Sequence, residues 1–76
     1  MSKYRIRIYN TAGLEMMNRG FEDQAVWDKY WEDVQKKESL LGFSGQGLVI
    51  LAKEYQTQAG NWESADKFPV TISETI

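Results

Sequence analysis

The chain has no cysteine, no histidine and a single proline among its 76 residues. Without cysteine there is no disulfide framework, no thiolate zinc site and no thiol nucleophile. Without histidine the usual general base near neutral pH is missing, as is the imidazole of a hydrolytic triad and the commonest transition-metal ligand. Catalysis is left poorly equipped rather than impossible, and no cofactor motif is present. No window approaches the ~18 apolar residues of a membrane span. The opening MSKYRIRIYN lacks the apolar core of a secretory signal, so a cytoplasmic protein without a membrane partner is expected.

Charge is present with both signs and unevenly spread. Nine Lys and Arg stand against eleven Asp and Glu, a net −2. Residues 1–19 carry Lys3, Arg5, Arg7 and Arg19 against Glu15, a local +3, while residues 20–41 sum to −3 and 42–76 to −2. The length fits one domain spanning residues 1–76. Such a chain buries roughly 60% of the surface its unfolded form exposes, so each large apolar residue weighs heavily.

Residues 3–9 alternate, with Tyr4, Ile6 and Ile8 on one side and Lys3, Arg5, Arg7 and Tyr9 on the other. A period of two marks a half-buried strand. Asn10-Thr11-Ala12-Gly13 then suits a three-residue hairpin loop ending in a left-handed glycine, with a second strand over about 14–21. Pairing Asn10 with Leu14 predicts Ile8 facing Met16 and Ile6 facing Asn18 inside, with Arg7 facing Met17 and Arg5 facing Arg19 outside. That register sets two like charges opposite each other.

A helix is expected over 23–41, with Asp23 as N-cap, an apolar stripe of Val26, Trp27, Tyr30, Trp31 and Val34 extended by Leu40 or Leu41, and Gly42 as terminator. Its other face carries Asp28, Lys29, Glu32, Asp33 and Lys36, which reads as a solvated surface rather than a carboxylate pair for chemistry. The Gly42–Gly47 segment closes a helix and opens a strand, the reverse of a phosphate loop; Phe43 within it is expected to plug the core. Leu48-Val49-Ile50-Leu51-Ala52 reads as a central strand covered on both faces. A turn near Ala59-Gly60-Asn61 leads to a fourth strand in which Trp62, Phe68, Val70 and Ile72 share a parity. Pro69 there favours an edge or a bulge.

These elements predict an α+β fold: ββαββ, a four-stranded mainly antiparallel sheet with one helix packed on one face. Two strand orders satisfy the pattern, a fully antiparallel 2-1-3-4 sheet and a β-grasp arrangement with the last strand parallel to the first.

The constellation that stands out is the outer face of the first hairpin, where Arg5, Arg7, Tyr9, Met17 and Arg19 are expected together as a partner-binding surface. The expected function is non-enzymatic: docking on, and blocking, a larger protein. In size and acidity the chain resembles phage-encoded inhibitors of bacterial enzymes and defence systems, anti-CRISPR proteins among them, a likeness of type that no motif carries. The alternative is a nucleic-acid-binding module, with the arginines on phosphate and Tyr9 stacking on a base. No small-molecule substrate is evident.

Overall fold

The structure, a computed structural model, describes residues 2–36, 40 and 47–72. The elements run β1 (Tyr4–Asn10), β2 (Glu15–Phe21), α1 (Gln24–Val34), β3 (Gly47–Gln56) and β4 (Trp62–Ile72). All strand neighbours are antiparallel and the sheet order is β2-β1-β3-β4. The fully antiparallel order is therefore the one adopted, and the β-grasp arrangement is not.

The two hairpins are closed by the same device. In the first, Asn10 N–H donates to Leu14 O and Gly13 N–H to Asn10 O, both at 3.0 Å. In the second, Thr57 N–H donates to Asn61 O at 2.8 Å and Gly60 N–H to Thr57 O at 2.9 Å. Gly13 and Gly60 sit at φ 86° and 88°, the left-handed conformation that lets a tight loop meet the strand twist. Asn10 Oδ1 fixes the first loop by accepting from the amides of Ala12 and Leu14.

Beyond the first loop the observed register departs from the expected one. Tyr9 faces Glu15, but Ile8 then faces Met17, Ile6 faces Arg19, Arg7 faces Asn18 and Arg5 faces Gly20. Met16 is the extra residue of a bulge, and every later side chain of β2 changes face. The cause is Phe21: it is buried and stacks with Tyr30 of the helix at 5.1 Å between centroids. Met17 and Arg19 share its parity and so lie on the helix side.

The helix begins where its cap dictates, Asp23 accepting from the amides of Ala25 and Val26. It ends at Val34, well short of 41, and the proposed terminator Gly42 lies outside the described residues, as does Phe43. Trp27, Trp31 and Val34 are buried and Tyr30 is half-buried, whereas Val26, expected in the stripe, is 54% exposed. Its position is a turn edge that faces away from the sheet. The helix packs chiefly on β1 and β2. Its stripe closes a core with Ile6, Ile8, Phe21, Leu40, Val49 and Leu51. Trp27 pins the layers: its indole N–H donates to Arg5 O at 3.1 Å, its ring lies 4.6 Å from that of Tyr4, and Lys53 Nζ sits 4.5 Å above it.

In β3 the helix-side face of the apolar run is covered throughout and the outer face only in part, from the fully buried Ala52 through the half-buried Ile50. Val49 and Leu51 are fully buried under the helix side, while Leu48 on the outer side is 40% exposed. In β4 a bulge at Ala65, between the pairs Lys53–Asp66 and Glu54–Ser64, breaks the parity expected of Trp62 and Phe68. Phe68 opposes Leu51 on the helix side, and Trp62 opposes Gln56 on the outer side. Gln56 N–H bonds Lys3 O, just before β1, so by alternation even-numbered residues of β3 bond β1 and odd-numbered ones bond β4. Pro69, opposite Ile50, thus turns its missing donor to the open edge, where it blunts strand pairing.

Candidate functional site

The outer sheet face is built by the odd positions of β1 and the even positions of β3. The strand pattern sets Arg5 beside Glu54, Arg7 beside Ala52, and Tyr9 beside Ile50. Arg5 Nε donates to Glu54 Oε1 at 2.6 Å, Arg7 Nη1 lies 3.6 Å from Glu54 Oε2, and Arg7 Nε donates to Glu15 Oε1 at 2.7 Å. Two arginines and two carboxylates therefore alternate along the face. Glu54, buried and charged, is matched from both sides. The Arg7 guanidinium is held even more firmly protonated than usual, first by its hydrogen bond to Glu15 and then by the charge of Glu54, against the opposing effect of burial.

Aromatic rings complete the row. Arg5 Cζ lies 4.0 Å above the Trp62 ring and Arg7 Cζ 5.3 Å from that of Tyr9. Such stacking satisfies the flat faces of guanidinium groups whose edges are hydrogen-bonded.

Of the five residues expected to share one surface, Arg5, Arg7 and Tyr9 do. Met17 and Arg19 do not: Met17 packs against the core with its sulfur 3.6 Å from Tyr30 Oη, and Arg19 lays its guanidinium 4.9 Å from the Tyr30 ring. The feared Arg5–Arg19 opposition is absent because Gly20 takes that place. The reading of the sequence missed Glu54, Glu15 and Trp62. Glu54 carried a usable signal, since it shares parity with the Leu48–Ile50–Ala52 side of a strand beside two arginines.

Chemically, this face holds fixed charge and half-buried aromatic rings. Among the described residues no pocket opens and no group of three metal-ligating side chains gathers. No helix among them is long and apolar enough to cross a membrane. Comparison with protein-family models, with curated proteins and with solved structures finds no match.

Proposed function

We propose that the chain is a non-enzymatic protein-protein interaction module that docks on a larger protein through its outer sheet face and blocks it, as a small phage-type or anti-defence inhibitor would. The observation that carries this reading is the row of Trp62, Arg5, Arg7 and Tyr9, held by Glu54 and Glu15, with Leu48 left uncovered at its Tyr9 end. Arginine and large aromatic residues concentrate binding energy at interfaces, and side chains already fixed in place lose little entropy on docking.

The nucleic-acid reading is less well supported. A phosphate approaching Arg5 or Arg7 would have to compete with Glu54 and Glu15, which already bond the Nε of each and offset its charge.

The test is capture from bacterial lysate by the immobilised chain, with Tyr9→Ala plus Trp62→Ala compared with the helix-face pair Lys29→Glu plus Glu32→Lys. The expected result is a defined partner lost only with the outer-face pair. Capture indifferent to that pair overturns the reading. A salt-sensitive gel shift of DNA or RNA would turn it toward nucleic acid.

A further inference from the structure

The outer face is divided across its strands. Tyr9, Ile50 and Pro69 form one row over β1, β3 and β4, with Leu48 one step beyond Ile50. Ile50 and Tyr9 are half-buried, Leu48 and Pro69 exposed. The adjacent row is Arg7, Ala52 and Lys67. Arg7 is engaged by Glu15 and Glu54, but the exposed Lys67 has no carboxylate partner among the described residues. A mainly aliphatic strip thus borders an uncompensated cation. The opposite side of the molecule has the other sign, with Asp23, Asp28, Glu32 and Asp33 on or beside the helix and Glu63 and Asp66 on β4 against Arg19, Lys29, Lys36 and Lys53.

Resting on the docking reading above, we infer that the occupant of this face is an acidic, apolar protein segment. Its large apolar side chains cover Tyr9, Leu48, Ile50 and Pro69, and a carboxylate about 7 Å further along the strand direction meets Lys67. Charge complementarity selects the sign: the segment is attracted to this face and repelled from the helix face. Composition selects the class. A single strand of nucleic acid stacks successive bases on aromatic rings, and in this strip Tyr9 alone offers one, with Arg7 already 5.3 Å from its centroid.

The experiment pans a displayed random dodecapeptide library against the intact immobilised chain and measures binding of synthetic copies by fluorescence anisotropy. Selected sequences should place Asp or Glu beside large apolar residues. Ile50→Lys should abolish their binding, and Lys67→Glu should weaken it by roughly tenfold, less so at high salt. Leu48→Lys, at a more exposed position, replaces Ile50→Lys if that variant loses its parent circular dichroism. Binders lost with Ile50→Lys or Leu48→Lys yet without acidic residues, and indifferent to Lys67→Glu, overturn this inference and leave the docking face standing. A library that yields no binder, or only binders indifferent to every outer-face change, overturns both.

Discussion

Arg5 and Glu54, 49 residues apart in the chain, meet at 2.6 Å across the two central strands and tie the first hairpin to the second. Both side chains are largely buried, at 21% and 12% exposure. Removing one charge strands the other in a place water reaches poorly. Glu54→Gln should therefore lower stability by roughly 1–3 kcal/mol, measured by urea denaturation. Arg5→Met combined with Glu54→Leu should recover part of that loss, because an apolar pair leaves no uncompensated charge. A Glu54→Gln protein as stable as its parent would refute this account.

Trp27 joins helix to sheet by both area and hydrogen bond. Trp27→Ala should cost about 3–5 kcal/mol, close to the entire stability expected of so short a chain, and leave it largely unfolded at 25 °C. Trp27→Phe keeps the ring and loses the donor to Arg5 O. It should cost about 1 kcal/mol from that bond beyond the lost area, and retain a cooperative thermal transition.

Gly13 tests conformation without packing. A Cβ placed there meets nothing within 4 Å, yet φ is +86°. Gly13→Ala should thus destabilise by about 1–2 kcal/mol, and Gly13→Asn by less, since asparagine tolerates this region. Equal effects of the two substitutions on the urea midpoint would argue against the conformational cause.

Tyr55 donates its hydroxyl to Glu63 at 3.0 Å. That hydrogen bond, with the adjacent negative charge, raises the phenol above its ordinary value of 10.0. The protonated form is the one favoured in the folded state. Its contribution is full below the unfolded tyrosine pKa of about 10 and is lost as pH rises through the higher folded value. In a spectroscopic alkaline titration, Glu63→Ala should bring one of the four tyrosines down toward the ordinary value. The stability difference between parent and variant should shrink only above that pH.

The local parts of the fold were legible from local chemistry. Asn10 through Gly13 specified a loop and Asp23 a helix start, because each acts through hydrogen bonds to residues two to four positions away. The burial of Trp27, Trp31 and Val34 followed from helical spacing, although Val26, at the edge of the same stripe, turned outward. The candidate site was half legible: Arg5, Arg7 and Tyr9 share a face by strand alternation alone, while their partners Glu54 and Trp62 come from strands that only long-range pairing brings alongside.

By itself the sequence determined the ββαββ order, the turns, the helix cap and the absence of cysteine and histidine chemistry, since these depend on residue type and short spacing. Only the tertiary structure decided the faces of β2 and β4. A bulge adds one residue, costs little locally, and reverses every side chain after it. At Met16 the burial of Phe21 beneath Tyr30 chose that reversal, carrying Met17 and Arg19 to the helix side. At Ala65 the same kind of shift leaves Phe68 on the helix side and sets Trp62 under Arg5, so the outer face is a product of packing between residues far apart in the chain.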